Sequence, residues 1–172
     1  MKKNSLIICF LFLSLFANIA SVTAAPAAED FNLFLKKFTN SAAFQYSRIK
    51  FPLKTDIVLS LGEGEGEKSF PFTKNEWPLL DDETFVEERN VVEGEGVYVS
   101  KFTVKNPTHV EFEAGYEESE LDLRVCFDLV NGKWFLTDCL TGWYNFSVLA
   151  SELRKTVIEV HAENKEFIEQ HP

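Results

Sequence analysis

The dipeptide Asn131-Gly132 restricts the fold of this chain more than any other pair of residues. Both residues tolerate the positive φ of a tight hairpin turn, so the runs on either side are predicted to be antiparallel neighbours. Those runs, roughly Glu120–Val130 and Lys133–Leu140, alternate apolar and polar residues as half-buried strands do. By alternation Leu121, Leu123, Val125, Phe127 and Leu129 share a face with Trp134, Leu136, Asp138 and Leu140. Asp122, Arg124, Cys126, Asp128, Phe135, Thr137 and Cys139 take the other face. Three strands are predicted upstream, at Phe85–Val92, Val97–Lys105 and Thr108–Tyr116, with turns at Glu93–Gly96, Asn106-Pro107 and Glu117–Ser119.

Helices flank this run. Phe31, Phe34, Leu35 and Phe38 fall at i, i+3, i+4 and i+7 behind a capping Asp30, with Lys36 and Lys37 on the wet side. Ser41 caps a second, shorter helix to about Arg48, with Phe44 and Ile49 facing inward, and Pro52 ends it. From Thr55 onward the period changes, and Ile57-Val58-Leu59 with Leu61 reads as a buried strand. Gly62–Glu67 is the hairpin tip that leads to a returning strand through Phe70 and Phe72. Neither Gly/Glu run has the spacing of a calcium loop. Thr73-Lys74-Asn75-Glu76 matches a capping box opening one helical turn before Pro78. Gly142 breaks the last strand. Asn145 or Ser147 then caps a final helix to about Gln170, with Leu149, Leu153, Val157, Val160 and Phe167/Ile168 as its stripe.

The N-terminus carries an address. Lys2 and Lys3 precede an apolar run from Leu6 to Ala20, and Val22-Thr23-Ala24 offers small residues to a signal peptidase. At about 15 residues the run falls short of the ~20 that span a bilayer. Cys9 lies inside it without the small residue that precedes a lipidated cysteine. Export to the periplasm or beyond is expected, with a single α+β domain at residues 25–172. Loss of residues 1–24 removes two lysines, leaving 15 basic against 27 acidic residues, so the net charge moves from −10 to −12. That sign repels phosphate backbones and anionic membrane surfaces, so neither nucleic acid nor a membrane is expected as a partner. The histidines (His109, His161, His171) are scattered and no Cys-x-x-Cys occurs, so no metal or cofactor is expected. Cys126 and Cys139 remain, and the hairpin register decides whether they bridge. A two-residue turn pairs Cys126 with Thr137 and leaves Cys139 diagonal, whereas a four-residue turn places the two cysteines opposite each other.

Helix, short helix, then antiparallel strands ending in Asn-Gly-Lys-Trp is an order that resembles nuclear transport factor 2-like domains. Phe34 to Leu53 is more specific: Phe-x3-Phe-x5-Phe-Gln-x2-Arg-Ile-x-Phe-Pro-Leu (Phe34, Phe38, Phe44, Gln45, Arg48, Ile49, Phe51, Pro52, Leu53). It is similar to the start of an uncharacterised exported bacterial family of that fold, numbered 4348 among domains of unknown function. Glu76-Trp77 and Gly132-x-Trp134-x-Leu136 fit the same picture over residues 29–142. The resemblance implies N-terminal helices packed in a strongly curved antiparallel sheet of five to six strands, and it implies no activity.

Candidate ligand contacts are few. Asp138, on the face with Leu136 and Leu140, would be desolvated and so pushed toward general-base range; the alternatives are a place at the sheet rim or a cation partner. Gln45 and Arg48 lie where the second helix meets the sheet, and an Arg at a cone mouth holds anions well. Trp77, Trp134, Trp143 and Tyr144 could stack a flat ligand or fill the core. His109 is expected to point outward. No Ser-His-Asp order or phosphate loop can be assembled. The expected function is non-catalytic binding of a small molecule or protein. Its rivals are an isomerase- or hydrolase-like enzyme built on Asp138, and a self-associating module that forms a homodimer.

Overall fold

The protein is described here by a computed structural model covering residues 27–119, 121–145 and 147–171. The predicted leader and its cleavage site lie outside the described residues.

Helix α1 (Phe31–Thr39) starts where Asp30 accepts the Leu33 N–H at 2.9 Å, and α2 (Ala42–Ser47) starts where Ser41 accepts the Phe44 N–H at 3.3 Å. Strands β1 (Ile57–Gly62) and β2 (Gly66–Phe70) form a separate two-stranded sheet. Strands β3 (Glu88–Val92), β4 (Gly96–Lys105), β5 (His109–Tyr116), β6 (Leu121–Val130) and β7 (Lys133–Thr141) form one antiparallel sheet in sequential order. The expected single sheet of five to six strands is therefore two sheets, of five and of two. Phe85 belongs to a 3₁₀ turn (Glu83–Phe85), not to β3.

The Phe stripe of α1 docks on the inner face of the larger sheet. Phe34, Phe38, Phe112, Phe127 and Leu136 are completely buried. Phe127 receives the rings of Phe31, Phe34 and Phe38 at centroid distances of 5.5, 5.6 and 5.5 Å, all edge-to-face. Glu29 ties the start of α1 to the β6–β7 hairpin. Its N–H donates to the Gly132 carbonyl at 2.9 Å, and its carbonyl accepts from the Trp134 indole at 2.9 Å.

The hairpin at Asn131-Gly132 has the predicted two-residue turn, with φ of 52° and 76° and Val130 opposite Lys133. The faces beyond it are not those predicted. Phe127 pairs with Leu136 but Cys126 pairs with Asp138, so Thr137 is an extra residue bulged out of β7. A bulge advances the alternation by one place. Asp138 therefore leaves the apolar face and joins Cys126, while Cys139 turns inward opposite Val125. Neither envisaged register holds beyond the bulge. Cys126 and Cys139 are both free, buried on opposite faces of the sheet.

Two other expectations need correction. Thr73–Glu76 closes as a capping box, with Glu76 Oε2 accepting the Thr73 N–H at 3.0 Å, yet it makes only a turn before Pro78. Helix α3 (Leu153–Gln170) starts later than predicted. Residues ahead of it are held by β1: Leu149 bridges Ser60, and the Ala150 N–H donates to the Ser60 carbonyl at 2.7 Å. The buried side of α3 is Thr156, Val160, Asn164 and Phe167, and Ile168 is exposed. No helix among the described residues is long and apolar enough to cross a membrane.

Candidate functional site

The irregular stretch Trp77–Leu80 passes through the core, so its backbone groups need partners that no helix or strand supplies. Two side-chain amides supply them. Gln45 is fully buried; its Nε2 donates to the Phe38 and Leu80 carbonyls at 2.9 Å each, and its Oε1 accepts the Trp77 indole N–H at 2.9 Å and the Leu80 N–H at 3.0 Å. From α3, Asn164 accepts the Leu79 N–H at 2.6 Å and donates to the Trp77 carbonyl at 2.8 Å. Gln45 and Trp77 thus stand together in the interior, with no free hydrogen-bonding atom on the amide.

Arg48 and Trp134 also meet, around Glu29. The guanidinium grips the carboxylate at 2.8 and 3.0 Å and donates to the Trp134 carbonyl at 3.0 Å, while the Trp134 N–H donates to Glu29 at 2.9 Å. Burial pushes the Glu29 carboxyl up, but these donors hold it below its ordinary value. The Arg48 guanidinium lies over the Phe44 ring at 4.8 Å. Its charge is thus already matched by Glu29 and its plane stacked on a ring of the protein itself.

Asp138 is held by three hydrogen-bond donors and an ion pair. Its Oδ1 accepts the Thr55 N–H at 2.9 Å and its own neighbour's N–H, from Cys139, at 3.1 Å. Its Oδ2 accepts the Thr55 hydroxyl at 2.9 Å and lies 3.5 Å from Arg124 Nη2. The cation partner weighed from sequence is Arg124. Around it, the outer face of the sheet carries a polar cluster. Asp128 joins His109 at 2.7 Å, the Thr137 hydroxyl at 2.6 Å and Lys54 at 3.1 Å. The Asp128 hydrogen bond raises the His109 imidazole, which points outward as predicted. Burial raises Asp128, yet its three partners pull it down to about 2. Beside them the Cys126 thiol lies 3.5 Å from Glu111, and burial with that carboxylate pushes it up to about 12, the wrong direction for a nucleophile. Among the described residues no group of three or more such side chains is placed to hold a metal ion.

The concave space is elsewhere. A cleft of about 500 Å³ opens between β1 and the end of β7. Its walls are Ile57 and Val58 on one side and Leu140 and Thr141 on the other, with Phe72 and Tyr144 also lining it. Asp56, Ser119 and Asn145 supply polar groups, and the buried Cys139 also lines it. Of the ten large apolar side chains that stay exposed among the described residues, three, Val58, Leu121 and Leu140, at 40, 36 and 36 %, line this one cleft. Of the ligand contacts proposed from sequence only Tyr144 reaches it. The Tyr144 hydroxyl donates to the Glu76 carbonyl at 2.6 Å, and burial pushes the phenol up. The rest of the lining escaped sequence reasoning because β1 and β7 are about 80 residues apart and carry no motif that joins them.

Fold and cleft together define a small α+β protein in which short helices fill an antiparallel sheet and a second, two-stranded sheet leaves an apolar gap. A family model whose description reads only "-like" matches residues 29–168, and the chain belongs to that family. It is similar to a cystatin-like protein from Bacteroides caccae, known from a crystal structure, with 58 % identity, coverage of 86 % of this chain and 99 % of that one, and a TM-score of 0.80. Proteins from Bacteroides uniformis and Bacteroides ovatus, both solved by NMR, are 56 and 58 % identical. Each match covers 84 % of this chain, with 98 and 94 % of the other and a TM-score of 0.79 in both cases. No curated protein matches the chain.

Proposed function

We propose that this is an exported, non-catalytic binding module whose β1–β7 cleft takes a largely apolar ligand. The carrying observation is the convergence of exposed Val58, Leu121 and Leu140 on one concavity of about 500 Å³. That size falls in the ~300–1,000 Å³ range of ligand sites, and apolar walls with a few polar rim groups are their usual lining. The three hydrogen bonds and the Arg124 ion pair on Asp138 support a positioning role for it: it pins Thr55, just ahead of β1. Export rests on the Lys2-Lys3 leader and its small-residue exit at Ala24. The aromatic stripe of α1 against Phe127 supports the narrower reading of the sheet as a nuclear transport factor 2-like cone in the family numbered above.

Titration with the neutral fluorophore N-phenyl-1-naphthylamine tests the cleft. Saturable enhancement is expected, and Leu140→Arg should abolish it without lowering Tm by more than a few degrees, since Leu140 is partly exposed. Enhancement that survives Leu140→Arg would place the ligand elsewhere.

A further inference from the structure

We infer that the cleft receives an extended peptide segment of a partner protein, docked as an added strand between β7 and β1, with apolar side chains at alternate positions and a basic residue facing Asp56. This rests on the cleft being a binding site and names its occupant. β7 is the outer strand of the larger sheet, and β1 has only β2 beside it in its own. Elsewhere each of these edges is met by the protein's own chain. At Leu136, the Ile49 segment runs parallel to β7, with the Leu136 N–H donating to the Arg48 carbonyl at 2.8 Å and the Lys50 N–H to the Leu136 carbonyl at 3.0 Å. At Ser60, the Leu149 segment runs parallel to β1.

Between these two covered points the strands part. Thr55 is bonded to Asp138, and the chain then leaves β7, so Ile57 and Val58 face Cys139–Thr141 across the cleft. Among the described residues neither stretch has a strand partner on that side. Edge strands offer rows of N–H and C=O groups, and an extended peptide satisfies both rows at once, which a compact apolar molecule does not. Side chains alternate along an added strand, so every second one meets Val58, Leu121 or Leu140. Among the described residues Asp56 is the one charged residue in the lining and is exposed, on a chain of net charge −10, so the complementary occupant carries a lysine or arginine there.

The test is a library of capped hexapeptides that alternate Val, Ile or Phe with Thr or Lys, screened against the protein, with amide hydrogen exchange followed by NMR. The tightest members should slow exchange at Ile57–Val58 and Cys139–Thr141. N-methylation of alternate peptide amides should weaken them at least about tenfold, the effect of losing two or more backbone hydrogen bonds. Asp56→Asn should weaken Lys-bearing peptides about two- to fivefold and leave Lys-free ones unchanged. Binding that ignores N-methylation, or protection confined to other strands, would overturn the inference. Peptide failure with N-phenyl-1-naphthylamine still bound would overturn it while leaving the apolar cleft as a ligand site. Failure of both probes would remove both readings.

Discussion

At the scale of single residues, the polar groups that look most like ligand contacts act instead on the chain itself. Gln45 satisfies four buried partners with one amide, so Gln45→Leu strands the Trp77 indole and the Leu80 backbone. A loss of about 3 kcal/mol is expected in urea unfolding, the scale of several orphaned buried groups; a change below about 1 kcal/mol would contradict the geometry. The outer-face pair has a pH signature. Asp128 is lowered from 3.8 to about 2, so its contribution is complete above 3.8 and is lost as pH falls toward 2. His109 is raised above 6.5, so its contribution is complete below 6.5 and is lost as pH rises through the higher folded value. The contact is therefore worth most between about pH 4 and pH 6.5. Asp128→Asn should flatten the profile of Tm against pH on both sides of that window, and an unaltered profile would show that the pair does not contribute.

At the scale of elements, most boundaries follow from local chemistry. Asp30 and Ser41 cap the helices predicted for them, and Asn131-Gly132 makes the predicted turn. What local pattern could not reveal is the bulge at Thr137. Threonine is an ordinary strand residue, and nothing in Leu136-Thr137-Asp138 marks it as extra. The Thr137 hydroxyl donates to Asp128 on the neighbouring strand at 2.6 Å, a bond between residues nine apart whose donor is anchored only once the hairpin has formed. The bulge carries Asp138 off the apolar face and separates the cysteines. Thiol titration of the denatured protein, purified without reductant, should accordingly find Cys126 and Cys139 both reactive; loss of both thiols would mean that they bridge, as in the four-residue-turn register that sets them opposite each other.

At the scale of the whole molecule, α3 is part of the core and not an arm held out for a partner. Val160 and Phe167 are buried, and Asn164 carries two of the backbone groups of Leu79 and Trp77. Truncation at Glu152 should yield a chain without a cooperative thermal transition, because it exposes the Trp77 face of the core and leaves that irregular segment unpaired. A truncated protein that melts cooperatively near the parent Tm would assign α3 to the surface. The sequence by itself determined helices α1 and α2, the antiparallel order of the last five strands and the Phe stripe that fills them, because these follow from caps, periodicity and turn residues within a few positions of one another. Only the tertiary structure decided the division into two sheets, the face on which Asp138 lies and the cleft between β1 and β7. Those depend on Thr55 meeting Asp138 and Thr137 meeting Asp128, contacts between separate segments of the chain that no local pattern encodes.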